Sequence, residues 1–117
     1  MGHLSTHVLD TARGLPASGV HVQVRLVRGD ASETLAEATT NAQGRTDAPL
    51  LAGDRFSPGI YEITFDVGAY FRRAGVPLSD PPFFGHVVIR IGVADASGVY
   101  HVPLLISPYG YTTYRGT

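Results

Sequence analysis

The 117-residue chain contains no cysteine, and its nine basic residues are all arginine. The missing cysteine excludes a disulfide scaffold, a Cys-ligated zinc or iron–sulfur centre, and a thiol nucleophile. Such a chain is compatible with a reducing compartment. No block of like charge stands out, and 9 Arg against 10 Asp and Glu leave a formal charge of −1. Nucleic acid is therefore not expected as a partner. Long apolar runs are missing too: Gly, Pro or His interrupts each within a few residues, so no segment is expected to span a membrane. The opening residues, Met1 to His7, show neither the basic region nor the apolar core of a secretory signal, so cytoplasm is the expected location. A phosphate-binding glycine loop is absent, and no serine sits in a Gly-x-Ser-x-Gly elbow.

What is present is frequent punctuation, 14 Gly and 8 Pro, separating short segments that alternate apolar and polar residues. That pattern predicts an all-β sandwich or barrel. A chain of this length is one domain, residues 1–117, able to bury roughly two-thirds of its unfolded surface. The first strand is expected over Ser5 to Asp10, followed by a turn through Gly14-Leu15-Pro16. Val20, Val22, Val24 and Leu26 then share one strand face, with His21, Gln23 and Arg25 opposite.

Glu33 to Thr40 reads as a third strand, and Asn41-Ala42-Gln43-Gly44 as a turn that delivers Arg45 and Thr46. A short strand is expected near Asp54 to Phe56, and a longer one from Ile60 to Phe65. Asp66 is placed to cap a helix over Val67 to Ala74, with Gly75 at the C′ position; an irregular crossover is the alternative. After the loop Val76 to Pro82, the alternating sets Val87, Ile89, Ile91, Val93 and Tyr100, Val102, Leu104, Ile106 predict two further strands. Pro103 cannot donate to a ladder, which predicts an edge, a bulge or an irregular start there. A last strand is expected over about Gly110 to Arg115, for seven or eight strands and one short helix.

The five histidines sort by this pattern. His21 alternates with core valines and should face solvent. His3 lies in the N-terminal segment and is assigned to the surface; nothing functional attaches to His86. His101 is different, because it lies opposite a core face yet is flanked by apolar residues. It is either covered at a subunit contact or functional. His3 and His7 could not share a metal along one strand, since four residues span about 13 Å. No carboxylate or cysteine spacing supports a metal at His7 and His101 either, so no metal or other cofactor is expected.

The tail, Tyr100 to Thr117, is dense in Tyr, Thr and Arg, as in an end that is docked and used rather than frayed. Its last four residues, Tyr114-Arg115-Gly116-Thr117, resemble the Tyr-Arg-Gly-Ser signature of 5-hydroxyisourate hydrolases, the transthyretin-like enzymes of urate breakdown. His7-Val8-Leu9-Asp10 with Gly14-Leu15-Pro16-Ala17 resembles the N-terminal motif of that family, and Asn41-x-x-Gly44-Arg45 its Gly-Arg element. The resemblance extends through Phe65 to Phe71 and so over effectively the whole chain. Departures are Thr117 in place of Ser, and Phe83-Phe84-Gly85-His86 where many relatives carry an aromatic-Pro-Glu sequence.

The resemblance implies a transthyretin-like sandwich of two four-stranded sheets with one short helix. It also implies a homotetramer in which the outer face of one sheet lines a channel between dimers. Transthyretin carries thyroid hormone in that channel, and the hydrolases use it as an active site. The implied reaction opens the ring of 5-hydroxyisourate, a small purine derivative, to 2-oxo-4-hydroxy-4-carboxy-5-ureidoimidazoline. His7 and His101 are implied in water activation and proton transfer, and Arg45 in oxyanion and substrate binding. Tyr111, Tyr114, Arg115, Gly116 and Thr117 are implied in shaping the pocket. Thr117 adds a methyl group there, which implies slower or equal turnover rather than a changed reaction. Two other readings are open: a non-catalytic carrier using the same channel, and a purely structural sandwich module. Carriers of the transthyretin type lack the His, Arg, His and terminal set that this chain resembles.

Overall fold

Each segment with clean period-2 patterning forms a strand in the computed structural model, which describes residues 2–117. In chain order the strands are β1 (His3–Asp10), β2 (Leu15–Pro16), β3 (His21–Arg28), β4 (Ala31–Thr39), β5 (Leu51–Ala52), β6 (Gly59–Asp66), β7 (His86–Val93), β8 (Val99–Ser107) and β9 (Gly110–Thr113). One helix, α1 (Val67–Arg73), joins β6 to the segment leading into β7. One sheet runs β4-β3-β6-β7; the other runs β2-β1-β8-β9, with β5 also paired to β1. This is the transthyretin-like sandwich of two four-stranded sheets and one short helix, with the two-residue β5 as an addition.

The two sheets close on the side chains that the alternation assigns inward. Val22, Val24, Tyr61, Ile63 and Phe65 from one sheet, and Leu4, Val8, Leu104 and Ile106 from the other, are fully buried. Each such side chain contributes on the order of 1.5–3 kcal/mol on leaving water. Helix α1 begins where expected: the Asp66 carboxylate accepts from the Ala69 N–H at 3.2 Å. It ends at Gly75, whose φ of +78° satisfies the left-handed C′ position. Val67, Tyr70 and Phe71 make its buried side.

Four expectations are corrected. β1 starts at His3 rather than Ser5, because buried Leu4 is held on both sides, by β8 and by the Leu50 N–H on its carbonyl at 2.8 Å. Residues 53–55 form a 3₁₀ turn instead of a strand, since Gly53, at φ +63°, turns the chain immediately after β5. β9 stops at Thr113, short of Arg115. Pro103 lies in an interior strand, not at an edge.

The irregularity that Pro103 demands falls on β9 instead. The antiparallel ladder runs from Ser107↔Gly110 to Leu104↔Thr113, breaks opposite Pro103, and resumes as a single bridge, His101↔Gly116. Thr113 Oγ1 donates to the Pro103 carbonyl at 2.8 Å across the break. Tyr114 and Arg115 are thereby released from the ladder.

Candidate active site

One pairing brings the N-terminal motif to the tail. β1 and β8 run parallel, with Ser5 opposite His101 and His7 opposite Pro103. Leu4, Thr6, Val8 and Asp10 point into the sandwich, so His3, Ser5 and His7 must point out, as must His101 on β8. The outer face therefore carries His3, Ser5 and His7 in a row, with His101 alongside Ser5. All four are partly exposed.

Each imidazole of the expected pair has one ring partner. His101 Nδ1 lies 2.8 Å from Ser5 Oγ. His7 Nε2 lies 2.9 Å from the Gln43 carbonyl oxygen. A carbonyl can only accept, so Nε2 of His7 carries the proton and Nδ1 faces away from that bond.

The Gln43 carbonyl and Arg45 share a loop built around Asn41. Its side-chain oxygen accepts from the Gln43 N–H at 3.0 Å and the Arg45 N–H at 3.2 Å, while its amide donates to Asp47 at 3.0 Å. Gly44 then docks on β1, its carbonyl accepting from the Val8 N–H at 2.8 Å. Two constraints require glycine there: φ is +77°, and a Cβ would lie 2.3 Å from the Val8 carbonyl oxygen. Arg45 lines a hollow of about 190 Å³ with Ser5, Thr6, Asp47 and Pro49, beside the histidine face.

Burial and the neighbouring charges at this face disfavour the charged form of His101. Burial pushes its pKa below 6.5, and the charges of Arg45, His7 and His3 push in the same direction. A neutral imidazole with one nitrogen bonded to Ser5 retains its other nitrogen for a proton. Among the described residues nothing else bonds the His101 ring.

The tail reaches this face through Gly116. Its N–H donates to the His101 carbonyl at 2.7 Å, and a Cβ there would lie 2.7 Å from His101 Cδ2 and 3.2 Å from Pro103 Cγ. Pro103 is consequently buried, while Leu105 remains partly exposed. Thr117 follows Gly116 at the same end of β8 and is exposed.

Three of the expected tail residues are directed elsewhere. Arg115 stacks 4.1 Å from the centre of the Tyr100 ring and donates to the Val99 carbonyl at 3.2 Å. Tyr111 pairs with inward-facing Ile106 and packs edge-on against Phe84, with ring centres 5.3 Å apart. Tyr114 is exposed and lines, with Arg115, a groove of about 340 Å³ between β7 and β8 that contains no histidine. The structure thus gathers His7, Arg45, His101 and Gly116, and does not bring Tyr111, Tyr114 or Arg115 to them.

Sequence reasoning missed Ser5, Asn41 and His3 as parts of this face. The available signal was period 2: Ser5 and His3 lie two and four residues before His7 on one strand.

The arrangement belongs with known proteins. Residues 4–116 match the HIUase/Transthyretin family. The chain is 53% identical to 5-hydroxyisourate hydrolase 2 of Rhizobium meliloti, over 99% of this chain and 97% of that one. The structure of Klebsiella pneumoniae 5-hydroxyisourate hydrolase superposes with a TM-score of 0.82 and 40% identity, covering 100% of both chains. Transthyretin from Sparus aurata superposes with a TM-score of 0.86 at 29% identity, covering 97% of this chain and 95% of that one. Near-complete coverage, half-identical relatives and a shared sandwich lead to one conclusion: this chain belongs to the HIUase/transthyretin family.

Proposed function

We propose that the chain is a 5-hydroxyisourate hydrolase acting in urate degradation, and that its chemistry resides on the His7–Arg45–His101 face. The observation that carries the reading is His101, its charged form disfavoured by burial, on one face with His7 and with Arg45, whose guanidinium keeps its charge. An uncharged imidazole is what activating a water requires; the guanidinium is what a developing oxyanion requires.

In the proposed sequence, a water held at His101 gives up a proton and its oxygen bonds to the acyl carbon. The carbonyl electrons move onto oxygen, where Arg45 stabilises the charge. The carbon–nitrogen bond then breaks, and the leaving nitrogen takes the proton from the newly formed His101 imidazolium, directly or relayed through His7. The ring is open, atoms balance, and both histidines return to their starting states on exchange with water. General-base help of this kind is worth about 10²- to 10⁴-fold, and one well-aimed oxyanion donor about 10²- to 10³-fold. No step uses a metal or organic cofactor.

The proposed assembly is a homotetramer with this face lining a channel between dimers. Its support is that His3, Ser5, His7, Leu9, His101 and Leu105 are all only partly covered in the single chain. A second copy across the face would exclude bulk water and strengthen every electrostatic contact. No helix among the described residues is long and apolar enough to cross a membrane. A cytoplasmic site of action is part of the same proposal, in keeping with a chain free of cysteine.

The test is the ultraviolet decay of freshly generated 5-hydroxyisourate with and without the protein. Acceleration with release of the ring-opened product is the expected result. Binding of the compound without acceleration, by correctly assembled protein, would make the chain a carrier and overturn the hydrolase reading.

A further inference from the structure

A neutral imidazole carries a single N–H, and its position on His101 decides what the ring can do. If Nδ1 carries the proton, Nε2 offers a lone pair; if Nε2 carries it, that corner of the ring can only donate. The residue that touches Nδ1 is Ser5, directly opposite in the parallel register, with its Oγ at 2.8 Å.

The rest of the ring's surroundings limit how it can turn. Gly116 packs its backbone against the Cδ2 edge, close enough that a single added carbon there would collide. Rotating the ring by half a turn would put Cδ2 against Ser5 Oγ and forfeit the hydrogen bond. Ser5 and Gly116 therefore hold opposite edges, and the Nε2–Cε1 corner is left open. The other histidine is held in the reverse sense, since the Gln43 carbonyl takes the proton on His7 Nε2. Ser5 makes no other side-chain hydrogen bond among the described residues, so its hydroxyl is committed to the His101 ring.

We propose that Ser5 is a positioning residue: its Oγ accepts the Nδ1–H of His101, fixes that tautomer, and leaves the Nε2 lone pair facing the substrate side. The same bond becomes charge-assisted when His101 takes a proton, so it steadies the imidazolium formed during the reaction. Ser5 touches no reacting atom in this role. The inference deepens the hydrolase reading and rests on it for its kinetic consequences. The pairing of Ser5 Oγ with Nδ1 stands on geometry alone, and the direction of the bond follows from the base role given to His101.

The experiment uses the full-length protein and its Ser5→Ala and Ser5→Thr variants. Long-range ¹H–¹⁵N spectra of the His101 ring report which nitrogen is protonated, without any need for turnover. In the wild type and in Ser5→Thr, Nδ1 is expected in the protonated form and Nε2 as the acceptor. In Ser5→Ala that preference is lost. Turnover of 5-hydroxyisourate should fall roughly 10-fold in kcat for the Ala variant with KM nearly unchanged, the worth of one neutral hydrogen bond, and Thr should restore most of it.

An Nε2-protonated His101 in the wild type overturns the proposal even if no variant can be made. Unchanged kcat in a folded Ser5→Ala protein overturns it as well. A Ser5-dependent tautomer in a protein that does not turn over 5-hydroxyisourate would leave the positioning geometry standing and remove the hydrolase reading, so the two failures are distinguishable.

Discussion

Replacing Gly116 by alanine is expected to damage activity far more than stability. The added carbon would sit 2.7 Å from His101 Cδ2 and 3.2 Å from Pro103 Cγ, against ordinary contacts of 3.4 Å or more. The ring edge must therefore give by about 0.7 Å, or the tail must lift. Yielding by the ring strains its bond to Ser5; lifting of the tail breaks the Gly116 N–H bond to the His101 carbonyl. Overpacking costs about 1–3 kcal/mol when it occurs in a closed core. Here most of that strain is released outward, because residues 114–117 lie beyond the end of β9 with a single backbone bridge and the Arg115 side chain as their holds. Misplacing a catalytic group by about 1 Å costs on the order of 10²-fold. The expected result is a kcat/KM reduced by about 10- to 100-fold in 5-hydroxyisourate decay, with the thermal midpoint within a few degrees of wild type. Unimpaired kcat/KM in the Gly116→Ala variant would refute the claim that the tail abuts the working histidine.

Other expectations follow from the same structure. Burial and the neighbouring Arg45 hold the His101 pKa below 6.5, so the acid limb of the rate profile should have its midpoint below pH 6.5; a limb above it would remove His101 as the base. The sign for stability is the same: an unfolded chain with His101 near 6.5 binds the proton first. His101 therefore stabilises the fold above that pH and loses the contribution as pH falls through its lower folded value. Urea midpoints measured across this window in wild type and His101→Gln should show the difference.

Tyr70→Phe is expected to cost stability without touching turnover. The Tyr70 hydroxyl donates to buried Asp10 at 2.7 Å and accepts from Arg13 at 2.7 Å, in a cluster away from the histidine face. Burial pushes the Asp10 pKa up, but the bonds from Arg13, Tyr70 and two backbone N–H groups outweigh it and hold the carboxyl below its usual range. Losing one partner of this buried group should cost about 1–3 kcal/mol, read by denaturant unfolding, with kcat unchanged.

Strands, helix cap and core face were legible because each is encoded within ten residues. Val20 to Leu26 can bury its valines only as a strand, and Asp66 with Gly75 brackets α1 at both ends. What was not legible is what depends on contact between distant segments. Ser5 and His101 are 96 residues apart, and only the parallel β1–β8 register makes them partners. His3 was placed on the surface because its strand is extended by Leu50 and Ala52, which the local pattern around it does not reveal.

Pro103 was read correctly as a break and given to the wrong strand, since β9 can interrupt its ladder while β8 keeps its other partner. The tail shows a limit of reading a motif as a block. Neighbouring residues of an extended chain face opposite ways, so Gly116 against His101 leaves Arg115 against Tyr100.

The most direct test of the central claim is the rate of 5-hydroxyisourate decay with His101→Ala and Arg45→Ala beside wild type, each first shown to have the wild-type oligomeric state. The account predicts that wild-type protein accelerates the decay and that each variant loses about 10²-fold or more. Wild-type acceleration retained in either assembled variant would contradict it, and would move the chemistry off this face of the sheet.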